Sequence, residues 1–211
     1  MLVPSTRLDV AVRRASVNDM DAVYEVASSV GNAVKDPSLG FLVYDYTRDP
    51  DAHKRRLLRS CAECSHFYVA ELNRKVCGFL IGWLRDEWVS RYPEWFGQVT
   101  WRPGFKMDPG DDFFMVDVIA VHARLTGRGV GTALHKRMIA DLAREGIRRI
   151  LSESVIGPIP NVTSMMFRTR MGFELVGIRY EDEGGVLYTN AVYSKINPLV
   201  PPETSARGRH S

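Results

Sequence analysis

The stretch VDVIAVHARLTGRGVGTAL (residues 116–134) decides the fold of this chain. Its first half is apolar and typical of a strand, and its second half repeats apolar residues at helical spacing. Between them lie Gly127, Gly129 and Gly131, which allow a sharp turn with outward-pointing N–H groups. Such a loop and the following helix N-terminus form a cradle for phosphate oxygens. The stretch therefore predicts a strand, an anion-binding loop and a helix.

The loop departs from two common phosphate-binding motifs. No Gly-Lys-Ser/Thr follows it, as a P-loop requires. It also falls in the middle of the chain, with no acidic residue about 20 positions later at the end of a plausible strand, which argues against a dinucleotide-binding motif. A plainer alternative is that the glycines only permit close packing at the start of the helix.

The rest of the chain extends this unit into one α/β domain over residues 8–196. Strands are predicted at 8–15, 66–72, 76–86, 113–121, 147–156, 173–181 and 186–196, and helices at about 16–30, 50–64, 129–145 and 161–171. Because a helix separates 113–121 from 147–156, these two strands are predicted to be parallel. The result is a mixed sheet flanked by helices.

Two segments interrupt this pattern. Residues 87–112, an insertion before the fourth strand, hold six aromatic residues among prolines, glycines and charges. A loop of about 25 residues inside a compact domain is usually functional or folds as its own element. Residues 197–211 contain three prolines and small polar residues, and they are predicted to form a disordered tail.

Composition excludes several classes of function. Lys and Arg total 28 against 25 acidic residues, so the net charge of +3 does not indicate a nucleic-acid partner. No apolar run reaches the roughly 18 residues of a membrane span, and the first residues do not resemble a signal peptide. A cytoplasmic protein without a membrane partner is expected.

The cysteines offer two interpretations. Their odd number, three, argues against a disulfide framework. Cys61 and Cys64 have the spacing of a metal or redox pair, but a zinc site would need a second pair of ligands with similar spacing. Ordinary thiols at the end of a helix are therefore favoured, and no metal is expected.

Residues 126–131 (TGRGVG) resemble the strongest motif of the GNAT superfamily of acyl-CoA-dependent N-acyltransferases, Arg/Gln-x-x-Gly-x-Gly/Ala. The segment 161–173 is similar to the family's last helix motif, Asn-x-x-Ala-x-x-x-Tyr-x-x-x-Gly-Phe, and 12–23 resemble its first strand and helix. The resemblance spans about 12–196. It implies a GNAT-like mixed α/β fold whose central sheet is splayed beside the fourth strand.

The resemblance also implies an activity. An acetyl or other acyl group would pass from acetyl-CoA to a primary amine of a small molecule or protein by direct attack. Splaying of the fourth strand would free backbone N–H groups near Ile119 to bond the thioester carbonyl, which stabilises the developing oxyanion. The residues implied to contact acetyl-CoA are Ile119, Ala120, Val121, Thr126, Gly127, Arg128, Gly129, Val130, Gly131, Thr132, Asn161 and Arg168.

Two departures from the family pattern bear on catalysis. Thr126 stands where Arg or Gln is usual, so one side-chain contact to the pyrophosphate is lost. Arg168 stands where the family often carries a Tyr that protonates the departing thiolate, and an arginine does not readily donate a proton. These departures support an alternative function, a catalytically altered acyl-CoA-binding module that acts as a sensor or partner protein.

Two carboxylates are candidates for the base that removes the ammonium proton. Asp117 lies within an apolar strand, where burial would raise its pKa towards a useful range, unless it faces solvent. Glu153 lies on the neighbouring parallel strand, where some family members place their base. The two could also share a water molecule.

The acceptor side is predicted from two segments. Residues 36–50 contribute Tyr44, Asp45, Tyr46 and Asp49, and residues 87–112 contribute aromatics together with Asp108, Asp111 and Asp112. Acidic and aromatic groups suit a cationic amine. Packing of the aromatics in a homodimer interface is the alternative. A protein N-terminus, a lysine side chain, a polyamine and an aminoglycoside all remain open as acceptors.

Overall fold

The computed structural model describes residues 9–108 and 110–201. Its helices are α1 (Met20–Val30), α2 (Pro50–Glu63), α3 (Arg85–Arg91), α4 (Trp95–Gln98), α5 (Val130–Arg144) and α6 (Val162–Arg170). Its strands are β1 (Ala11–Arg14), β2 (His66–Leu72), β3 (Lys75–Leu84), β4 (Val99–Trp101), β5 (Phe114–Val121), β6 (Arg149–Gly157), β7 (Glu174–Glu183) and β8 (Val186–Ile196). The predicted strand, glycine loop and helix of residues 116–134 are confirmed.

The strands form one mixed sheet in the order β1-β2-β3-β5-β6-β8-β7-β4. The predicted parallel pairing joins β5 to β6, and the other neighbouring strands are antiparallel. Helix α5 connects the parallel pair and packs on β2 and β3, whereas α1 packs on the opposite face with α2. The mixed α/β fold with a sheet flanked by helices is confirmed.

The insertion at residues 87–112 folds as its own element, which is the second of the two outcomes expected for it. It contributes most of α3, all of α4, and β4, which pairs with β7 at the edge of the sheet. Trp88 and Trp95 are buried, and Trp95 packs edge-on against Trp101 with ring centroids 5.8 Å apart. These aromatics therefore pack against one another within the chain. Because β4 precedes it, the strand predicted at 113–121 as the fourth strand is the fifth strand of the structure.

The end of the domain lies slightly beyond β8. Asn197, which the sequence assigns to the tail, is fully buried, and its side-chain amide donates to Ile139 O at 3.1 Å and to Ile147 O at 3.3 Å. These bonds join the chain after β8 to α5 and to the segment that follows it. The rest of the predicted tail, from 202 onward, lies outside the described residues. Among the described helices, none is long and apolar enough to cross a membrane.

Burial of His135 makes the free energy of unfolding depend on pH. The side chain lies on α5 and is 4% exposed, and burial, together with the positive charges of Lys195 and Arg168, lowers its pKa to about 3. The native state keeps His135 neutral, whereas the unfolded chain binds a proton near pH 6.5. The unfolded state therefore binds more protons between pH 6.5 and about 3, so stability falls as the pH falls through that window.

We expect His135→Gln to flatten this dependence. One pKa unit corresponds to about 1.4 kcal/mol, so the neutral His135 should cost the wild type about 2 kcal/mol between pH 6.5 and pH 5. Urea unfolding of both proteins at the two pH values measures the difference. Equal pH dependence in the wild type and the variant would show that His135 is protonated in the native state.

Candidate functional site

Strands β5 and β6 separate at the centre of the sheet. Their pairing covers only three positions, from Phe114 with Ile150 to Val116 with Ser152, although both strands continue beyond it. Residues 117–121 of β5 therefore have no partner on that side. The strand is buried up to Val116 and is half-buried from Asp117 onward except at Ala120, because a cavity opens between the two strands. This is the splay that the family resemblance implies.

Asp117 occupies a bulge in β5. On the neighbouring strand β3, Ile81 pairs with Val118 and Gly82 pairs with Val116, so Asp117 is the extra residue of the ladder. A bulge redirects a side chain relative to the regular alternation of a strand. The bulge thus lies at the point where β5 leaves β6, and Asp117 lines the cavity there.

The glycine loop begins where β5 ends. Gly127 has a φ of +79° and Gly129, the N-cap of α5, a φ of +91°, so both adopt the left-handed conformation that favours glycine. A Cβ atom at Gly127 would have no other atom within 4 Å, so the space beside the loop is open. The N–H groups of Val130, Gly131 and Thr132 lie in the first turn of α5, where no intrahelical acceptor exists. These donors suit a pyrophosphate.

The cradle and Asp117 share one cavity of about 880 Å³. All the residues that the resemblance implies for acetyl-CoA line it, from 119–121 through 126–132 to Asn161 and Arg168. Along β5, Asp117 lies four residues before Val121, which corresponds to about 13 Å. The cavity can therefore hold an extended ligand whose phosphates lie at the loop and whose other end lies near Asp117.

The environment of Asp117 suits a base. The indole Nε1 of Trp83 donates to its Oδ2 at 2.9 Å, and among the described residues no cationic nitrogen lies within 4.0 Å of the carboxylate. Burial raises the pKa of Asp117 above its ordinary value, which the Trp83 hydrogen bond and the more distant Arg56 and Arg91 partly offset. A carboxylate with a raised pKa holds a proton more readily than an exposed one.

Glu153 has a different environment, although it lines the same cavity. Arg179 holds both of its oxygens, with Nε 2.9 Å from Oε1 and Nη2 3.0 Å from Oε2, and Trp95 Nε1 donates to Oε1 at 2.8 Å. Arg179 also donates to Glu181 Oε2 at 2.7 Å. This network ties β6 to β7 and to α4. Both oxygens of the Glu153 carboxylate are therefore already occupied by donors from the protein.

Asn161 and Arg168 connect α6 to the cavity walls. The Asn161 Oδ1 caps α6 by accepting from Ser164 N at 3.2 Å, and its amide donates to Phe41 O at 2.8 Å. Arg168 is buried, and its Nε donates to Ser152 Oγ at 2.8 Å, beside the point where β6 leaves β5. Burial lowers the pKa of Arg168 to about 10, so the side chain remains a cation at neutral pH.

Five aspartates predicted for the acceptor side are not among the cavity-lining residues of the described chain. Two of them stabilise local backbone instead: Asp45 accepts from Thr47, and Asp49 caps α2 by accepting from Ala52 N. The other three are Asp108, Asp111 and Asp112. The carboxylates that do line the cavity are Glu94, Asp117, Glu153, Glu181 and Glu183. Tyr44 and Tyr46 line it as predicted.

The sequence analysis missed Arg56, which also lines the cavity. The guanidinium carbon lies 4.1 Å from the centre of the Tyr44 ring. Arg56 belongs to a run of basic residues in α2 that is typical of a solvated helix face. Its spacing to Leu57 and Ser60, which are both buried, is the signal that places it near the inner face.

The three cysteines are free thiols. Cys64 is buried at the end of α2, and its thiol donates to Gly82 O at 3.0 Å. Burial raises the pKa of the Cys64 thiol to about 12. Within residues 9–108 and 110–201, no group of three or more His, Cys, Asp or Glu side chains is arranged to hold a metal ion.

A family model described as Acetyltransferase (GNAT) family matches residues 34–173. That range includes the bulge, the glycine cradle and most of the residues that line the cavity. The chain belongs to the GNAT acetyltransferase family. No match was found among curated proteins.

Solved structures agree on the fold. Ard1 from Thermoplasma volcanium superposes with a TM-score of 0.62 at 17% identity, covering 90% of this chain and 98% of that one. The ribosomal-protein-S18-alanine N-acetyltransferase from Escherichia coli gives 0.57 at 14% identity, with 89% and 93% covered. The structure of yncA from Salmonella typhimurium, solved with its cofactor acetyl-CoA, gives 0.58 at 16% identity, with 93% and 96% covered. At these identities the likeness concerns the fold alone.

Proposed function

We propose that this GNAT family member is an N-acetyltransferase that moves an acetyl group from acetyl-CoA to a primary amine by direct attack. The observation that carries the proposal is the single cavity joining the glycine cradle to Asp117 at the β5 bulge. One end offers backbone donors of the first turn of α5 for phosphates, and the other offers a half-buried carboxylate that has no cationic partner within 4.0 Å among the described residues. An acyl donor and a proton acceptor thus have a place in the same cavity.

The chemistry divides between the ligand and the chain. Bound acetyl-CoA supplies the thioester carbonyl carbon, where the amine nitrogen forms a C–N bond while the C–S bond breaks and leaves its electron pair on sulfur. Asp117 takes the first of the two protons that the ammonium loses, which frees the nitrogen lone pair. The second proton balances the one that sulfur takes up. The free backbone edge at 117–121 provides N–H groups for the charge that develops on the carbonyl oxygen.

Arg168 contributes charge in this scheme. It remains protonated at neutral pH and lines the cavity beside Ser152. A buried cation favours a leaving group that carries negative charge, without donating its own proton. Solvent then supplies the proton that the sulfur takes up.

Release of free thiol from acetyl-CoA tests the proposal. We expect thiol release that depends on an added amine when the protein is screened against amino acids, polyamines, aminoglycosides and peptides with free N-termini. Mass spectrometry of the amine should show the added acetyl group. Tight acetyl-CoA binding in calorimetry without thiol release for any amine would instead support the acyl-CoA-binding module.

A further inference from the structure

Arg56 lacks a counterion. Within the described part of the chain, no Asp or Glu oxygen lies within 4.0 Å of its guanidinium group. Two other arginines that line the cavity differ, since Arg91 pairs with Glu63 and Arg179 pairs with Glu153. Arg56 is half-buried, and its guanidinium group lies over the face of the Tyr44 ring. Leaving a partly desolvated cation without an anionic partner is costly.

Asp117 is the complementary group. It faces the same cavity from β5, whereas Arg56 faces it from α2, and the two are too far apart to form an ion pair. Each nevertheless lies within electrostatic range of the other, since the Arg56 cation opposes the rise in the pKa of Asp117. This end of the cavity thus presents a cation on one wall and a carboxylate on another, and within the described residues neither has an ion-pair partner within 4.0 Å.

Three tyrosines surround this pair, and we call Tyr44, Tyr46, Tyr92, Arg56 and Asp117 the tyrosine end of the cavity. All five line it. Burial raises the pKa of Tyr46 and of Tyr92 to about 12, and the negative charge of Asp117 adds to both shifts. The phenols therefore stay neutral, and their rings add apolar surface to this end of the cavity.

We infer that the acceptor carries a carboxylate beside its amine, as a free α-amino acid does, with the carboxylate bound by Arg56 and the amine presented to Asp117. The inference rests on the proposed function and names its substrate class. A guanidinium group binds a carboxylate through two parallel hydrogen bonds, which also fixes the orientation of the ligand. The opposite charge at Asp117 then fixes which end of the zwitterion faces the acyl donor.

Other amine acceptors match this arrangement less well. A protein N-terminus has a neutral amide beside its amine, which leaves Arg56 without an anion. A polyamine or aminoglycoside would bring a second cation towards Arg56, where like charges repel. An acceptor with a carboxylate beside its amine provides an anion for Arg56 and a cation for Asp117 at the same time.

Matched sets of acceptors test the inference. Free L-alanine, L-phenylalanine and L-lysine are each compared with the corresponding amide and decarboxylated amine, using kcat/KM for thiol release. We expect the wild type to prefer the amino acid over its amide at least tenfold. In Arg56→Gln that preference should fall to about twofold or less, with Arg56→Lys intermediate. Because the Arg56 charge also acts on Asp117, the ratio of kcat/KM between each amino acid and its amide is the readout, and not either absolute value.

Arg59→Gln provides the control, because Arg59 lies on the same helix, is exposed and does not line the cavity. It should keep the wild-type preference, and both variants should keep wild-type affinity for acetyl-CoA in calorimetry. Equal use of amino acids and amides by the wild type, or an unchanged preference in Arg56→Gln, would overturn the inference while leaving amine acetylation intact. If no amine is acetylated, the proposed function fails. Calorimetric titration with the free amino acids then tests the inference independently of turnover, and a protein that binds none of them would overturn the inference as well.

Discussion

Asp117→Asn is expected to lower kcat by about 10²–10⁴-fold, the usual cost of removing a general base. Asparagine keeps the shape of the side chain and can still accept the hydrogen bond from Trp83, but it does not take up a proton at neutral pH. Affinity for acetyl-CoA should stay close to that of the wild type, because the cradle lies beyond Val121, the end of β5, which is itself about 13 Å from Asp117 along the strand. Steady-state kinetics with the acceptor identified by screening, together with calorimetry, measure both quantities.

The pH profile should identify Asp117 as the group concerned. Burial raises the pKa of Asp117, and a base acts only when deprotonated, so kcat/KM should rise with pH through that raised pKa. In Asp117→Asn this rise of kcat/KM with pH should be absent. Asp21→Asn is the matched control, because Asp21 is an exposed carboxylate on α1 that does not line the cavity. Its activity should equal that of the wild type.

Glu153→Gln separates the two candidate bases. Because Arg179 and Trp95 already occupy the carboxylate, we expect a smaller fall in kcat than for Asp117→Asn, with the pH limb retained. Full activity of Asp117→Asn with the true acceptor would withdraw Asp117 as the base. A large fall for Glu153→Gln with loss of the pH limb would assign the role to Glu153.

The fold was predictable because its signals are local. Residues 116–134 carry a strand pattern, a glycine loop and a helical repeat within 19 positions, and each part forms what its own sequence favours. The parallel pairing of β5 with β6 follows from the helix between them. The residues expected to contact acetyl-CoA were assigned from the family resemblance; most lie within 119–132, and Asn161 and Arg168 lie near the two ends of α6. All of them line the cavity, and their contact with acetyl-CoA stays a prediction.

The remaining part of the site depends on contacts between distant segments. The bulge at Asp117 is set by the register of β5 against β3, and no residue in the sequence of β5 indicates it. Glu153 meets Arg179 from 26 positions away and Trp95 from 58, so its occupation by donors could not be derived from the β6 sequence. The short strand β4 pairs with β7 about 78 residues later, which hid it within an apparent loop.

Gly129→Glu is expected to weaken acetyl-CoA binding at least about a hundredfold. Hydrogen bonds from backbone donors to a charged phosphate contribute about 1.5–3 kcal/mol each, and a carboxylate at the N-cap would compete for them and repel the pyrophosphate. The loss of two such bonds corresponds to more than a hundredfold in Kd. Calorimetric titration with acetyl-CoA measures the change.

Backbone strain alone must be separated from this effect, because Gly129 has a φ of +91°, where a side chain is disfavoured. Gly104→Glu supplies the comparison: Gly104 has a φ of +83°, its Cβ would meet no atom within 4 Å, and it does not line the cavity. It introduces the same charge and a similar strain, and it should bind acetyl-CoA like the wild type. Melting temperatures of the two variants show whether either is unfolded. If Gly129→Glu is folded and binds acetyl-CoA with wild-type affinity, the pyrophosphate binds elsewhere. A carboxylate among the backbone donors of the cradle would necessarily lower the affinity for a pyrophosphate bound there.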